Sequence, residues 1–404
     1  MAEIESNSKD IKNYELETII SHYGEDREQY MGAVVPPIFQ NSLFTFETWD
    51  DISAAFDDPV NNCIYTRGRN PSVALLEEKI AKIVGGEKAK MFSSGMGAIS
   101  SAILHFVKGG DHIITLKNIY GPASNFMNKY LRAKMNIDVT FLSGTDTQEF
   151  KSSIRPNTKL IYLESPATAV FSLQDIRAIA DIAKEHNIKT IIDNTWATPI
   201  FQKPIEMGID LEVHSCSKYI GGHSDVVAGV VIGKTKDIDE IFLNEHAFLG
   251  AKLSPFEAWL LMRSLRTLPV RMLRHQENSL RVAEYLESHP KIKQVYHPGL
   301  KSFPQYELGK KQMTGYTGLM SFVIDCEELD KIKAFVNNLK LFKIGVSWGG
   351  HESLVFAPAI GYLKELPPEQ FKAMGISLGT IRISVGLEHK EDLVRDLEES
   401  LSLV

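Results

Sequence analysis

Short apolar runs alternate with helical patterns from about residue 67 to residue 250. Runs of this length, bounded by polar or turn residues, are typical of buried β-strands. They are HIITLK (112–117), VTFLS (139–143), LIYLES (160–165), TIIDN (190–194) and VVAGVVIG (226–233). Strands that alternate with helices predict an α/β domain with a mostly parallel sheet.

The clearest repeat of this alternation joins the strands at 160–164 and 190–193. The segment between them, SLQDIRAIADIAKEHN, has apolar residues at helical spacing. These residues are Ile176, Ile179, Ala180 and Ala183. A strand, a helix and a second strand in this order predict a right-handed crossover between parallel strands.

The two ends of the chain differ from this pattern. Residues 1–62 have only short apolar runs and turn residues such as Pro36 and Pro37, so we expect an N-terminal arm that contacts a neighbouring subunit. A long helical pattern follows Pro255 and is interrupted near Pro269. We therefore predict three segments: the arm (1–62), an α/β domain that carries the site (63–254) and a C-terminal domain (255–404).

The C-terminal segment is predicted to be a smaller α+β domain. SFVID (321–325) and TIRISVG (380–386) have the composition of strands. The chain then ends in an amphipathic helix with four apolar residues on one face. These are Leu393, Val394, Leu397 and Leu401.

Composition narrows the possible functions. The 404 residues include 44 Lys and Arg against 51 Asp and Glu, a formal charge of -7, with no basic block, so nucleic acid is not an expected partner. The three cysteines are far apart, which argues against a disulfide framework or a metal site and favours a reducing, cytoplasmic setting. No apolar run is long enough to span a bilayer, so we expect no membrane association.

Polar residues directly after apolar strands are the first candidates for chemistry, because parallel sheets bind ligands beyond the carboxyl ends of their strands. Three places fit: Asp193 at the end of TIID, SCSKYIGGHSD at 215–225, and SSGMGA at 93–98. The last precedes a helical pattern, so its backbone N–H groups could bind a phosphate. A serine–glycine turn that only caps a helix explains SSGMGA equally well.

Two nucleotide motifs are rejected. GMGAIS lacks the third glycine of a dinucleotide fingerprint, and GVVIGKT (229–235) is one residue short of the phosphate-loop spacing. Asp193 could be an ordinary helix cap, or a buried carboxylate that keeps a heterocyclic nitrogen protonated. Lys218 could be a surface charge, or a desolvated amine able to form an imine. Composition does not decide between these alternatives.

Ordered motifs along nearly the whole chain resemble the cysteine and methionine metabolism family of pyridoxal-phosphate enzymes. They are YTRGRNPS (65–72), SSGMGA (93–98), YGPA (120–123), LESPA (163–167), DNTWATP (193–199), HSCSKYIGGHSD (214–225), SWGGHESL (347–354) and IRISVGLE (381–388). The resemblance implies fold type I, the aspartate-aminotransferase-like fold, with a mostly parallel seven-stranded sheet and a smaller α+β C-terminal domain. It also implies a homo-oligomer, at least a dimer, with a tetramer favoured.

The same resemblance assigns the residues around pyridoxal 5'-phosphate. Lys218 matches the Schiff-base lysine that also removes the substrate's α-proton, Asp193 the carboxylate on the pyridine nitrogen, and Tyr120 the tyrosine stacked on the ring and a possible proton relay. The residues that match phosphate ligands are Gly95, Met96, Ser215 and Ser217, together with Tyr65 and Arg67 from a neighbouring subunit.

The substrate, by this resemblance, is a small sulfur-containing amino acid. Arg382 matches the arginine on its α-carboxylate, where a planar fork is needed. Ser347, Trp348 and Thr168 are expected to line the rest of the substrate site.

Some residues discriminate between members of the family. Trp348 resembles bacterial cystathionine β-lyases more than methionine γ-lyases, Thr168 departs from the asparagine of γ-lyases, and Pro122 stands where methionine γ-lyases usually have cysteine. Val346 lacks both the glutamate typical of cystathionine γ-lyase and γ-synthase and the tyrosine of a β-lyase, and Gly68 likewise departs from the β-lyase pattern.

We therefore predict a carbon–sulfur lyase and favour β-elimination of cystathionine to homocysteine, pyruvate and ammonia. The alternatives are a γ-lyase on methionine or cystathionine, and a γ-replacement transferase that uses an activated homoserine. A non-catalytic carrier of pyridoxal phosphate is a further alternative, which the presence of Lys218, Asp193, Tyr120 and Arg382 disfavours.

Overall fold

The computed structural model describes residues 11, 13–365 and 376–404. The first ten residues of the predicted arm, and residue 12, lie outside this part of the chain. None of the helices within it is both long and apolar enough to cross a membrane. The three cysteines, Cys63, Cys216 and Cys326, are unpaired.

A seven-stranded sheet forms the centre of the first half of the chain. Its strands are β1 (Lys88–Phe92), β2 (His112–Leu116), β3 (Asp138–Leu142), β4 (Thr158–Glu164), β5 (Lys189–Asp193), β6 (Leu211–Ser215) and β7 (Gly229–Gly233). The spatial order is β1-β7-β6-β5-β4-β2-β3. Only β7 runs antiparallel to its neighbours, so the predicted mostly parallel sheet is confirmed.

Helices cover both faces of this sheet and connect its strands. They are α1 (Leu16–His22), α2 (Trp49–Asp57), α3 (Pro71–Val84), α4 (Gly95–Phe106), α5 (Gly121–Asn125), α6 (Arg132–Met135), α7 (Thr147–Ser152), α8 (Ile176–Glu185), α9 (Thr198–Phe201), α10 (Thr235–Ile241) and α11 (Ala247–Leu249). Two π-helical segments, Phe126–Leu131 and Phe242–His246, continue α5 and α10, and Arg27–Tyr30 and Ile205–Met207 are 3-10 turns.

The predicted crossover is the segment β4-α8-β5. Asp175 caps the helix, its side chain accepting a hydrogen bond from the backbone N–H of Ala178. The four residues predicted to form the apolar face are all buried. The spacing of apolar residues therefore predicted this strand–helix–strand unit correctly, because successive turns of the helix bury the same face.

The N-terminal segment contains helices as well as extended chain. In α1, Ile19 and Ile20 are buried against α3, in one core cluster with Leu76 and Ile80. A buried ion pair fixes this contact: Lys79 Nζ lies 2.6 Å from Glu25 Oε1 and also donates to the carbonyl of Ile20 at 2.8 Å. Residues 19–25 of the predicted arm are thus packed on their own subunit.

We expect Glu25→Ala to lower the free energy of unfolding by about 3 kcal/mol, because it leaves the ammonium of Lys79 buried without its counter-charge. Arg266, which also pairs with Glu25 at 3.0 Å, loses the same partner. Urea unfolding followed by circular dichroism measures the change. Glu240→Ala, which removes an exposed partner of Lys236, is the control and should have no measurable effect. Equal stability of both variants would contradict the expected role of Glu25.

The C-terminal segment has a second sheet of five strands in the order β10-β11-β12-β9-β8. The strands are β8 (Ile292–Tyr296), β9 (Leu319–Ile324), β10 (Lys343–Ile344), β11 (Leu354–Phe356) and β12 (Thr380–Ser384). The helices are α12 (Pro255–Leu265), α13 (Leu268–Ser288), α14 (Tyr306–Gln312), α15 (Leu329–Asn338), α16 (Ala359–Glu365) and α17 (Lys390–Leu401). The predicted α+β architecture is confirmed.

Two finer predictions for this segment are also confirmed. The long helical pattern is broken between Leu265 and Leu268, and Pro269 lies in the first turn of α13, where a missing N–H is tolerated. The apolar face of α17 is buried. The two sheets fall within residues 63–254 and 255–404, but α12 packs on α3, so the domain limits themselves stay a prediction.

Candidate active site

Lys218 lies in the turn that follows β6, at the carboxyl edge of the large sheet. Its Nζ donates a hydrogen bond to Ser347 Oγ at 2.7 Å and lies 5.5 Å from the centre of the Trp348 ring. Burial lowers the pKa of Lys218 to about 8, and the nearby charge of Arg382 lowers it too, while Asp193 opposes the shift. A larger fraction of this amine is therefore neutral at neutral pH than in an exposed lysine, whose pKa is about 10.4.

The loop that carries Ser347 is pressed directly against the backbone of Lys218. Gly349 has a φ of +82°, and a Cβ atom there would lie 2.8 Å from the backbone nitrogen of Tyr219. A side chain at this position would push the two segments apart. Gly349 thus lets the C-terminal segment deliver Ser347 and Trp348 to the lysine, 129 residues away from it in sequence.

Asp193 ends β5 and is 8% exposed. Its Oδ1 accepts the N–H of Thr195 at 2.9 Å and the hydroxyl of Thr195 at 2.5 Å, which leaves Oδ2 for a ligand. Burial raises the pKa of Asp193, whereas the hydrogen bonds from Thr195 and the charges of His214 and Lys218 lower it. A buried carboxylate with one oxygen already fixed is suited to holding a single N–H group of a heterocycle.

The first turn of α4 lies close to the end of β6. Ser94 caps the helix by accepting the N–H of Gly97 at 3.0 Å. A Cβ atom at Gly95 would lie 2.8 Å from Cβ of Ser215, so only glycine allows the helix to approach this strand so closely. The N–H groups of Gly95 and Met96 are in the first turn, where no carbonyl of the helix can accept them, and they are available to an anion.

Ser217 is nearby, but its hydroxyl has backbone partners. It accepts the N–H of Ala228 at 3.1 Å and donates to the carbonyl of Ala228 at 3.3 Å. Ala228 directly precedes β7, which begins at Gly229, three residues after the start of its apolar run. The sequence-based assignment of Ser217 to a phosphate stays a prediction.

Tyr120 stands at the start of α5 and is 43% exposed. Its backbone N–H donates to Glu164 Oε2 at 2.6 Å, and Thr168 Oγ1 donates to Glu164 Oε1 at 2.5 Å. Burial and the charges of Asp193 and Glu164 raise the pKa of Tyr120, so its phenol keeps its proton at neutral pH. The structure therefore gathers Tyr120 and Thr168 around one buried glutamate.

Sequence reasoning did not single out Glu164. The signal was present, since Glu164 ends an apolar strand within LESPA in the same way that Asp193 ends the next strand. Thr195, the partner of Asp193, was likewise not assigned a role. Glu164 and Thr195 each form hydrogen bonds to other residues of the site. The spacing of residues along the chain does not reveal such contacts.

Arg382 lies on β12, opposite Phe356 of β11. Its guanidinium donates to the carbonyl of Val346 at 2.7 Å and lies 5.1 Å from the centre of the Phe356 ring. These contacts hold the planar fork beside the loop that reaches Lys218. The position fits a group that binds the carboxylate of a substrate.

Tyr65 and Arg67 do not join this cluster. Arg67 Nη1 donates to the carbonyl of Ala247 at 2.7 Å, and the side chain of Tyr65 is 51% exposed. Both residues line an open cavity of about 480 Å³, to which residues 40–42, Gly250, Lys252 and Pro255 also contribute. Within the described residues, neither makes a hydrogen bond to the groups around Lys218.

The residues gathered here fit pyridoxal phosphate. Asp193 has an oxygen for the pyridine nitrogen, the first turn of α4 offers the N–H groups of Gly95 and Met96 to a phosphate, and Lys218 offers an amine for the aldehyde. The fit is supported by the burial of the Asp193 carboxylate and by the lowered pKa of Lys218.

Comparison with known proteins agrees with this geometry. The profile of the family described as "Cys/Met metabolism PLP-dependent enzyme" matches residues 17–402. An L-methionine gamma-lyase of Porphyromonas gingivalis is 43% identical, with 94% of this chain and 95% of that protein covered. A cystathionine gamma-lyase of Bacillus subtilis is 38% identical (95% and 98% covered), and a cystathionine beta-lyase of Lactococcus lactis 39% (96% and 98%).

Fold type I, implied by the sequence resemblance, agrees with the two sheets described above, and the predicted cofactor is confirmed. The chain therefore belongs to the Cys/Met metabolism family of pyridoxal-phosphate-dependent enzymes, as one of its carbon–sulfur lyases.

Proposed function

We propose that the protein catalyses the γ-elimination of L-methionine, which with one water yields methanethiol, 2-oxobutyrate and ammonia. The observation that carries the choice of substrate is Val346, whose side chain is 77% exposed beside Arg382. The distal end of methionine is a small uncharged thioether, and an apolar neighbour suits it. Cystathionine ends in an ammonium and a carboxylate, which lose hydration unless polar groups replace the water.

Each residue of the site has a separate role in this reaction. Arg382 would bind the α-carboxylate, and the neutral amine of Lys218 would take the proton from Cα. Once Lys218 has given up that proton to the cofactor, the same amine would take a proton from Cβ. Bound pyridoxal phosphate supplies an electron-withdrawing ring that accepts the charge left at Cα. Asp193 holds a proton on the ring nitrogen, and the phenol of Tyr120 protonates the departing sulfur. The raised pKa of Tyr120 keeps that proton available.

Cystathionine β-elimination, which the sequence favoured, is the second candidate. Trp348 directly follows the partner of Lys218, and Thr168 occupies the position at which γ-lyases have asparagine. The similarity to a protein named cystathionine beta-lyase supports this alternative. A γ-replacement transferase has no contact in the described residues that favours it.

The keto acid that accumulates decides between the two candidates. We expect methionine to give 2-oxobutyrate with a kcat/KM above that for cystathionine. Val346→Glu should lower kcat/KM for methionine by about 10-fold or more, because a carboxylate at this position can pair with Arg382 and compete with the α-carboxylate of the substrate. Val346→Ile is the matched control and should retain the activity. Pyruvate formed faster from cystathionine, with no effect of Val346→Glu on methionine, would favour the second candidate.

We also propose that the protein is a homo-oligomer, at least a dimer and with a tetramer favoured, in which Tyr65 and Arg67 reach the phosphate of a neighbouring subunit. Their separation from the Lys218 cluster supports this, as do exposed apolar side chains in the N-terminal segment. These include Met31, Val34, Trp49 and Phe56. A cytoplasmic location is proposed as well, supported by three unpaired cysteines, which suit a reducing compartment.

A further inference from the structure

Two carboxylates end neighbouring strands of the large sheet. Glu164 is the last residue of β4 and Asp193 the last residue of β5, and their Cα atoms are paired in the parallel register. Parallel strands lie about 4.8 Å apart, so paired side chains leave the sheet side by side on one face. Each residue is 8% exposed. Two like charges this close, with so little water, disfavour the simultaneous ionisation of both groups.

The surroundings distinguish the two carboxylates. His214 of β6 and Lys218 after it act on Asp193 and favour its charged form. Glu164 faces Asp193 of β5, the N–H of Tyr120 from α5 and the hydroxyl of Thr168. Tyr162, two residues earlier on β4 and on the same face, is a buried phenol whose hydroxyl has no hydrogen-bond partner within the described residues.

We propose that Glu164 is a positioning residue that carries a proton in the working protein, holds Tyr120 and Thr168 in place, and leaves Asp193 as the only charged carboxylate of the pair. This inference rests on the role proposed above for Asp193. The protonated glutamate fixes the start of α5 by its contact with the backbone of Tyr120. It does so without adding a negative charge beside Asp193.

The proton on Glu164 is consistent with its electrostatics. Burial and the charge of Asp193 raise the pKa of Glu164 to about 8, although the hydrogen bonds from Thr168 and Tyr120 oppose the shift. Folded protein therefore binds this proton over a range of pH in which the unfolded chain, with a glutamate pKa near 4.5, has released it. Stability should fall as the pH rises from 4.5 to 8 and should not change further from this source above pH 8.

Glu164→Gln keeps the shape of the side chain but cannot ionise. Its carbonyl oxygen can accept the N–H of Tyr120, and its NH2 group can donate to the hydroxyl oxygen of Thr168. We expect the melting temperature of the holoenzyme variant, relative to the wild type, to rise by about 2–4 °C between pH 5.5 and pH 8 and then to level off. Glu149→Gln is the matched control, because the hydrogen bonds from Ser143 and Gly144 lower the pKa of Glu149. The difference in melting temperature between Glu149→Gln and the wild type should be constant over this pH range.

Infrared difference spectra of the holoenzyme between pH 6.5 and pH 9.5 detect the proton directly. The wild type and Glu149→Gln should lose a carboxylic-acid carbonyl band on going to the higher pH, and Glu164→Gln should not. A Glu164→Gln variant without the band, and with a dissociation constant for pyridoxal phosphate within about 3-fold of the wild type, would support the proposal. The proposal would be overturned if Glu164→Gln also lost a carboxylic-acid band between pH 6.5 and pH 9.5. It would equally be overturned if the difference in melting temperature between Glu164→Gln and the wild type did not change with pH.

These measurements use no substrate. If methionine proves not to be the substrate, the band and the stability curve still report on Glu164. Conversely, an ionised Glu164 would leave the proposed elimination reaction unaffected. The failure of one proposal can therefore be distinguished from the failure of the other.

Discussion

Replacing Lys218 by alanine should lower kcat for elimination by at least about 10⁴-fold, because one amine acts as the attachment point for the cofactor and as the base for the α-proton. The fold should survive the change. The side chain is held only by Ser347 and by the ring of Trp348 among the contacts described, and the neighbouring turn is fixed by backbone hydrogen bonds. Steady-state kinetics and circular dichroism measure the two expectations.

Lys218→Arg is the matched control, since it keeps the positive charge but provides no neutral amine at neutral pH. It should be as inactive as the alanine variant. Borohydride reduction followed by peptide mapping should label Lys218 in the wild type, and neither variant should carry that label. A pyridoxyl group on a different lysine of the wild type would refute the assignment of Lys218.

Mixing two inactive variants should restore activity if each site draws residues from two subunits. One variant is Lys218→Ala, and the other combines Tyr65→Ala with Arg67→Ala. The double variant should lose at least about 100-fold in activity at limiting cofactor, because charge-assisted contacts to a phosphate are lost. In an equimolar mixture of dimers about a quarter of the sites contain no substitution, so about a quarter of the wild-type activity should return.

The control is a mixture of Lys218→Ala with Asp193→Ala. Both residues lie in the cluster formed by one subunit, so every hybrid site carries a defect and no activity should return. Native mass spectrometry establishes that hybrids have formed in both mixtures. Hybrids of the first mixture without activity would show that Tyr65 and Arg67 do not complete a site across the interface.

The local pattern of apolar and polar residues was sufficient to predict the strands and helices of the large sheet. The strand ends at Glu164 and Asp193 and the buried face of α8 follow from apolar periodicity, because each element has to bury its own apolar positions. The same holds for the interruption near Pro269, which depends on a missing N–H of one residue. The order of elements along the chain then predicted a parallel sheet.

Ordered motifs located most of the candidate site. Lys218, Asp193 and Gly95 each follow or end a strand, and parallel strands deliver such residues to one edge of the sheet. Their chemistry is intrinsic to the residue types: an amine, a carboxylate and a glycine without a Cβ. Whether Lys218 is a surface charge or an imine-forming amine depends on its burial, and the local sequence does not determine how deeply a side chain is buried.

Contacts between distant segments were decided by the tertiary structure alone. The hydrogen bond between Lys218 and Ser347 requires a tight approach at Gly349, and the guanidinium of Arg382 is placed by the carbonyl of Val346. The pairing of Glu164 with Asp193 follows from the register of two strands separated by a whole helix. Register, packing and loss of water set these distances and pKa values, and all three arise only when the chain has folded.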